Sequence, residues 1–300
     1  MQIYSKISQL PHGRASAHIS PGCLVLEGGA FRGIYTSGAI DALMQADINL
    51  ESTLGVSAGA LNGLCYVSGQ IGRAGRMNLY YRHDDRNLGM KGLLQHRSVI
   101  DFDYLFGEVS KREPLDMDIL NAPYHRFFAA ATNCLSGEMT IFENGKCGDI
   151  LKCVSASCSM PYFCHVVEID GVPYLDGGCS SKIPFRWALD QGYEKIVVIR
   201  TKHRSYRKRE TWLSRHAPDM FYRRYPQLSE RLRQMNAQYN EDCETLEKLH
   251  QSGRLFMIAP SRRVRVKRLE ANVEKLVDFY HLGASDVAAK LDALRDYLTD

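Results

Sequence analysis

The chain has 300 residues, of which 45% are hydrophobic and 24% charged, and its net charge is +4. This length suits one α/β domain, and the composition excludes a disordered, collagen-like or coiled-coil protein. No run approaches the roughly 18 apolar residues of a membrane-spanning helix, and the N-terminus lacks the apolar stretch of a signal peptide. We therefore expect a soluble, cytoplasmic protein.

The predicted elements alternate between strands and helices. Apolar runs at 23–26 and 54–56 each lead through a glycine-rich turn into a helical pattern, at 33–44 and 58–67. Further strands are predicted at 126–132, 138–143, 195–201 and 255–259. Further helices are predicted at 148–158 and, with a break near Gly283, at 264–298.

This alternation predicts the fold class α/β, as a three-layer α/β/α sandwich with a mostly parallel central sheet. We expect a catalytic core at residues 20–205. Residues 206–300 would then form a helical and basic C-terminal elaboration that completes the same domain.

The strongest local pattern is Gly55-Val56-Ser57-Ala58-Gly59, a G-x-S-x-G motif between a predicted strand and a predicted helix. This context is typical of a nucleophile elbow, where a serine occupies a strained turn and its neighbours must be small. The turn also puts Ser57 at a helix N-terminus, where the dipole favours developing negative charge. A structural glycine-rich turn can have the same five residues, so the motif alone leaves both interpretations open.

A second glycine-rich turn precedes the first helix and reads Glu27-Gly28-Gly29-Ala30-Phe31-Arg32-Gly33. Such turns bind anions through backbone N–H groups, as nucleotide sites do, but neither G-x-G-x-x-G nor G-x-x-x-x-G-K-[ST] is present. In an acyl hydrolase the same turn would hold the oxyanion of the tetrahedral intermediate.

Together, EGGAFRG and GVSAG resemble the patatin-like phospholipase family. The family's loop usually reads G-G-x-R/K-G; here it has one more intervening residue, and Ala30 stands where many members have a third glycine. The segment Val172-Pro173-Tyr174-Leu175-Asp176-Gly177-Gly178 resembles the family's D-G-G motif, and an A-S-x-x-x-P stretch precedes it at 156–161. The resemblance covers residues 20–200.

The resemblance implies a serine acyl hydrolase acting on lipid esters, with Ser57 as nucleophile and Asp176 as base. The oxyanion would bind the amides of Gly28, Gly29 and Ala30, while Arg32 would fix the loop or approach a lipid phosphate. The supporting motif residues are Arg32, Gly33, Gly55, Gly59, Gly177 and Gly178. No metal and no cofactor is expected, because histidine and acidic residues lack ligand spacing and nine scattered cysteines include no C-x-x-C pair.

Histidines offer an alternative base. In α/β-hydrolases the histidine follows the acid, which leaves His203, His216, His250 and His281, but none has a supporting motif. Asp170 is a rival aspartate, yet Asp170-Gly171 between two short strands is typical of a hairpin turn, so we expect it to be structural.

The basic residues concentrate between Arg200 and Arg233, where 11 Lys/Arg face 3 Asp/Glu, and five more cations follow at 262–268. Interleaved aromatic residues suit an anionic membrane surface or nucleic acid, and a solvated charged face is the plain alternative. Given a lipid substrate, we expect peripheral membrane contact or a lid over the acyl pocket rather than nucleic acid binding.

Three hypotheses remain open from the sequence. The first is a phospholipase A or lysophospholipase using Ser57 and Asp176. The second is a broader esterase, thioesterase or acyltransferase, and the third is a catalytically silent membrane-binding module with the same fold. Acyl-chain, headgroup and positional preference depend on pocket walls that no motif encodes.

Overall fold

The structure is a computed structural model that describes residues 9–80, 82 and 101–299. Within these residues the strands are β1 Gly13–Arg14, β2 Ser20–Leu26, β3 Leu50–Val56, β4 Gln70–Ile71, β5 Arg126–Asn133, β6 Met139–Glu143, β7 Val167–Ile169, β8 Val172–Asp176, β9 Ile196–Ile199 and β10 Phe256–Ile258. All the strands predicted from the sequence are present, and β2 and β3 begin earlier than predicted.

The helices in the described part of the chain are α1 Ile34–Gln45, α2 Ala58–Val67, α3 Arg73–Tyr80, α4 Phe102–Tyr104, α5 Ser110–Arg112, α6 Met117–Leu120, α7 Ile150–Cys158, α8 Phe185–Asp190, α9 Trp212–Phe221, α10 Pro226–Gln251, α11 Val273–Ala288 and α12 Leu291–Thr299. A π-helical turn, Leu105–Val109, joins α4 to α5, and 3₁₀ turns span Ala30–Gly33 and Gly177–Cys179. None of these helices is long and apolar enough to cross a membrane.

In the main sheet the successive hydrogen-bonded partners are β10-β9-β2-β3-β5-β8-β7. Both β3 and β8 pair with one edge of β5, and β6 pairs with its other edge. The first five strands of the sheet are parallel, whereas β6, β7 and β8 run antiparallel to their neighbours. The mostly parallel sheet predicted from the sequence is therefore confirmed. The predicted turn at Asp170 and Gly171 is also present, with φ angles of 51° and 76° that suit a tight hairpin.

Helices cover both faces of this sheet, because its strand side chains alternate between two apolar clusters. On β2, Leu24 and Leu26 belong to the larger cluster, which includes residues of α1, α2, α7 and α11. Cys23 and Val25 of the same strand point to the opposite cluster, where α8 and α10 pack. This arrangement is the three-layer α/β/α sandwich that the sequence predicts.

The break predicted near Gly283 is wrong, since α11 continues to Ala288 and the next helix starts at Leu291. Gly283 lies inside α11 at its crossing with α1. A Cβ on Gly283 would be 2.1 Å from the Tyr35 carbonyl oxygen, and one on Gly38 of α1 would be 2.0 Å from that of Tyr280. These glycines allow the two helix backbones to touch, which is why Gly283 does not end its helix.

Candidate active site

Ser57 occupies the sharp turn between β3 and α2. Its φ of 54° and ψ of −124° are a strained backbone conformation for a residue with a side chain. A Cβ on Gly55 would lie 2.5 Å from the Ala60 backbone, and one on Gly59 would lie 2.3 Å from the Leu26 carbonyl oxygen. The two motif glycines are therefore required by close backbone packing around the serine.

The Ser57 hydroxyl donates a 2.7 Å hydrogen bond from its Oγ to Oδ2 of Asp176. Each of the two residues is only 6% exposed. The other carboxylate oxygen, Oδ1, accepts a 2.7 Å hydrogen bond from the Gly178 N–H, which holds the carboxylate in one orientation. The structure thus brings together the two residues that the sequence analysis paired.

Pairing with β5 explains why Ser57 and Asp176 lie side by side although they are distant in the sequence. Val56 at the end of β3 pairs with Ala130, and Asp176 at the end of β8 pairs with the next residue, Ala131. Since β6 occupies the other edge of Ala131, β3 and β8 follow one another along the same edge of β5. Their ends meet there, with Ser57 and Asp176 side by side.

The glycines beside these residues also have a steric cause. A Cβ on Gly177 would lie 2.2 Å from the Ala130 carbonyl oxygen, so the D-G-G turn packs directly on β5. A Cβ on Gly33 would lie 2.7 Å from that of Ala58, at the start of α2. Both glycine-rich turns are therefore packed against the elements that position Ser57.

Burial raises the pKa of the Asp176 carboxyl above its ordinary value. The Lys182 charge and the hydrogen bonds from Ser57 and Gly178 act in the opposite direction, because they stabilise the carboxylate. A raised pKa makes the carboxylate a stronger base toward the Ser57 proton than a solvated aspartate would be.

The glycine-rich loop differs in detail from the sequence expectation. The Gly28 N–H donates a 3.1 Å hydrogen bond to the Lys182 carbonyl oxygen, so this amide is already engaged and does not match its expected role as an oxyanion donor. Gly29 and Ala30 line the cavity at Ser57. Ala30 has a φ of 50°, a left-handed conformation that explains why a glycine would suit this position.

Two cavities open at Ser57. One, of about 100 Å³, is mainly apolar and is lined by Phe31, Leu61, Leu64, Phe106, Leu115 and other residues. The other, of about 80 Å³, contains Asp176 and the glycine-rich loop together with Arg32, Lys182 and Arg268. An acyl chain fits the chemistry of the first cavity, and a polar group fits that of the second.

No histidine in the described ranges hydrogen-bonds to Ser57 or Asp176, and none lines these two cavities. His203 interacts with Ser205, His216 with the Trp212 carbonyl and His250 with the Leu255 carbonyl. His281 is half-buried on α11. Among the described residues, no group of three His, Cys, Asp or Glu side chains could hold a metal ion.

Sequence reasoning missed two residues that support the site. Ser157 accepts a 2.9 Å hydrogen bond from the Ser57 N–H, although the sequence showed it only as part of the A-S-x-x-x-P stretch. Lys182 approaches Asp176 from the turn after the D-G-G motif. Its position four residues after Gly178 is the only signal that the sequence offered.

The basic segment is not one surface. Arg200 is fully buried and hydrogen-bonds to Tyr239, and Lys208 turns inward over the Tyr239 ring. Arg209, Arg215, Arg223 and Arg224 are exposed. The cations of this segment are therefore divided between buried side chains and an exposed surface.

Helix α9 presents an apolar surface within this segment. Trp212, Leu213, Met220 and Phe221 are each between 64% and 69% exposed. The Phe221 ring stacks edge-on against Tyr162 at 5.2 Å, and Tyr162 lines the polar cavity at Ser57. The surface thus adjoins the entrance of the site.

Comparison with known proteins gives matches over most of the chain. The model of the family "Patatin-like phospholipase" matches residues 24–189, and that of a domain of unknown function, DUF6363, matches residues 225–299. The chain is 28% identical over 265 residues to YjjU of Escherichia coli K12, an uncharacterized protein, covering 87% of this chain and 74% of YjjU. The crystal structure of VipD from Legionella pneumophila is similar with a TM-score of 0.46 and 13% identity, covering 92% of this chain and 70% of VipD.

The first family match spans more than half of the 300 residues and includes all of the sequence motifs described above. It extends from β2 through the elbow at Ser57 to the D-G-G turn and α8. The chain belongs to the patatin-like phospholipase family.

Proposed function

We propose that this chain is a serine acyl hydrolase that cleaves lipid ester bonds with Ser57 as nucleophile and Asp176 as base. The observation that carries the proposal is the 2.7 Å hydrogen bond between their side chains, at a strained elbow that opens into an apolar cavity. Membership of a phospholipase family supports a lipid ester as substrate.

The mechanism follows from this geometry. Ser57 Oγ attacks the ester carbonyl carbon while its proton passes to Asp176 Oδ2, and the amides of Gly29 and Ala30 hold the oxyanion. The intermediate collapses, the C–O bond to the alcohol breaks, and Asp176 returns the proton to the departing oxygen. Water then attacks the carbonyl carbon of the acyl-Ser57 ester and loses a proton to Asp176. The bond between the acyl carbon and Ser57 Oγ breaks, Asp176 returns the proton to Oγ, and the fatty acid leaves.

The test is hydrolysis of p-nitrophenyl butyrate and of a lysophospholipid by wild type, Ser57→Ala and Asp176→Asn, with Asp170→Asn as the matched control. We expect the first two variants to lose at least about a thousandfold in kcat, since removal of dyad-type groups costs that order. The control variant changes only a hairpin turn and should stay active. An active Asp176→Asn enzyme would contradict the assigned base.

Fluorophosphonate labelling separates an enzyme from a silent lipid-binding module. Wild type should be labelled covalently at Ser57, and Ser57→Ala should not. Absence of labelling in a folded wild-type protein, together with absence of ester hydrolysis, would favour the silent module.

We also propose that the chain meets its substrate as a peripheral protein at a membrane surface, from the cytoplasm. The exposed apolar residues of α9 lie next to exposed arginines, a combination that suits the interface of an anionic membrane. Because Phe221 contacts Tyr162 at the site entrance, docking there would place Ser57 close to the lipid.

Vesicle pelleting tests this docking surface. Wild type should bind vesicles of phosphatidylglycerol and phosphatidylcholine more strongly than pure phosphatidylcholine, and salt should weaken the binding. Trp212→Ser with Met220→Ser should bind several-fold more weakly, whereas Tyr124→Ser, which removes an aromatic residue that is 49% exposed elsewhere, should bind as wild type does. Equal binding by all three proteins would exclude α9 as the docking element.

A further inference from the structure

A third cavity, of about 220 Å³, lies behind the glycine-rich loop and is strongly cationic. Six lysine and arginine side chains line it: Arg32, Lys182, Lys202, Lys208, Arg209 and Arg268. Arg32, Lys182 and Arg268 also line the polar cavity that contains Ser57 and Asp176, as Gly28 does. The cationic cavity therefore adjoins the candidate active site.

The positive charge of the cavity lining is not neutralised by carboxylates in that lining. In the described residues the cavity lining includes one carboxylate, Glu27, which accepts a 2.9 Å hydrogen bond from the Tyr239 hydroxyl and another from the Thr201 N–H. Buried Arg200 bonds to the same Tyr239 hydroxyl and balances the charge of Glu27. A surplus of positive charge remains on the lining.

Lys208 shows the effect of this surplus most clearly. Its Nζ is buried without a hydrogen-bond partner among the described residues and lies 4.3 Å from the centre of the Tyr239 ring. Arg32 Nε is likewise buried and unpartnered within the described part of the chain. Buried cationic groups are costly unless an anion pairs with them.

The pKa values of the lysines around the cavity also favour a bound anion. Burial first, and then repulsion by Lys182 and Arg268, lower the pKa of Lys208 to about 5. Burial and the neighbouring Arg32 lower the pKa of Lys202 to about 8. An anion in the cavity would oppose each of these effects, because it favours the charged form of every lysine around it.

We propose that this cavity binds a phosphate group next to the reactive serine. A phosphate offers several acceptor oxygens and up to two negative charges, which matches a set of lysine and arginine donors converging from different elements. The phosphate group of a lipid headgroup and free phosphate present this same chemistry. The headgroup version rests on the proposed function, because it needs the acyl chain in the apolar cavity and the ester at Ser57.

Calorimetric titration with inorganic phosphate tests binding without relying on catalysis. Wild type and Ser57→Ala should bind phosphate equally, and Lys208→Met should bind it at least tenfold more weakly. Lys248→Met removes an exposed lysine on α10 and serves as the matched control with wild-type affinity. If Lys208→Met fails to fold, as judged by circular dichroism, the half-buried Lys202→Gln variant replaces it with the same expected direction.

Proton uptake gives a second readout. Bound phosphate raises the pKa of Lys208, whereas the cationic lining favours the phosphate dianion and so releases a proton from the monoanion. The proton uptake of Lys208 near pH 7 is therefore the difference between wild type and Lys208→Met, which is measured by repeating both titrations in buffers of different ionisation enthalpy. Wild type should take up more protons, or release fewer, than Lys208→Met. Phosphate affinity and proton uptake that are the same in Lys208→Met, Lys202→Gln and wild type would overturn the proposal.

Kinetics distinguish the two sources of the phosphate. Lysophosphatidic acid and monoacylglycerol with one acyl chain differ only in the phosphate, so the ratio of their kcat/KM values reports its recognition. A headgroup site predicts a wild-type ratio above ten that falls at least tenfold in Lys208→Met and is kept in Lys248→Met. A ratio near one in all variants, with Lys208-dependent phosphate binding, assigns the cavity to free phosphate.

Failure of the proposed function and failure of the phosphate site give different experimental results. If wild type hydrolyses neither lipid nor p-nitrophenyl butyrate, the acyl hydrolase proposal fails while the calorimetric result still stands. If esters are hydrolysed but no variant alters phosphate binding or the substrate ratio, the enzyme remains and the phosphate site is wrong.

Discussion

The hydroxyl of Ser157 on α7 accepts a 2.9 Å hydrogen bond from the backbone N–H of Ser57. This N–H lies in a strained turn and is buried, so leaving it without a partner would cost about 1–3 kcal/mol. We expect Ser157→Ala to lower the free energy of unfolding by that amount and to reduce kcat with little change in KM. Urea denaturation and ester hydrolysis measure the two effects.

Ser155→Ala is the matched control for this prediction. The Ser155 hydroxyl donates to the Leu151 carbonyl oxygen within the same helix and does not contact the elbow. Its removal should alter stability by less than about 0.5 kcal/mol. Equal effects of the two substitutions would show that the Ser157 contact does not support the elbow.

The pH profile of ester hydrolysis should respond to Lys182. The Lys182 charge lowers the pKa of Asp176, although burial leaves that pKa above its ordinary value overall. Lys182→Met removes the favourable charge, so Asp176 should hold its proton up to a higher pH. The acid limb of kcat/KM for p-nitrophenyl butyrate should therefore move to higher pH, and a shift in the other direction would refute the assigned interaction.

Gly59 should tolerate no larger residue. The Cβ of Gly59→Ala would lie 2.3 Å from the Leu26 carbonyl oxygen, and such overpacking costs about 2–3 kcal/mol or more. Gly107→Ala is the control, because it lies in a helical turn where a Cβ meets nothing within 4 Å. Thermal denaturation should show a clear loss for the first variant and a small gain for the second.

Asp41 should make stability depend on pH. Burial raises its pKa to about 7, although Tyr280 donates a 2.6 Å hydrogen bond to its carboxylate. The folded chain therefore binds this proton more tightly than the unfolded chain, whose aspartates titrate near 3.9. The stabilising contribution of the Asp41 proton to the free energy of unfolding is complete below about pH 4 and is lost as the pH rises toward 7.

Urea denaturation between pH 4.5 and 8 measures this contribution. The free energy of unfolding of Asp41→Asn should fall less over that interval than that of wild type. Asp118→Asn, at an exposed position, should keep the wild-type dependence. Identical curves for wild type and Asp41→Asn would show that the carboxylate does not titrate in this range.

The α/β/α fold was predictable because local sequence patterns indicate its strands and turns. Apolar strands that end in glycine-rich turns, at Gly28 and Gly55, required no knowledge of long-range contacts. Gly283 was misinterpreted because a glycine at a helix crossing and a glycine at a helix end look alike in sequence. The contact with Tyr35, 248 positions away along the chain, distinguishes them, and a local pattern cannot contain it.

The site was predictable in part for the same reason. Ser57 and Asp176 lie in motifs, so each could be proposed alone, and the structure supplies the 2.7 Å distance between them. The sequence shows how many basic residues lie between Arg200 and Arg233, but not which of their side chains are buried and which are exposed. Nothing in the sequence distinguishes Lys208, whose Nζ is buried, from the adjacent Arg209, which is exposed.

Because β3 and β8 pair along one edge of β5, the register on that strand sets the distance between the two reactive residues. Ser57 and Asp176 are 119 positions apart, yet their separation is set by two consecutive alanines, Ala130 and Ala131. Insertions in the intervening loops would leave the pair in place as long as the ladder stays in register. A two-residue slip of β8 would move Asp176 by about 6–7 Å, so a strand without reactive side chains determines whether the chemistry is available.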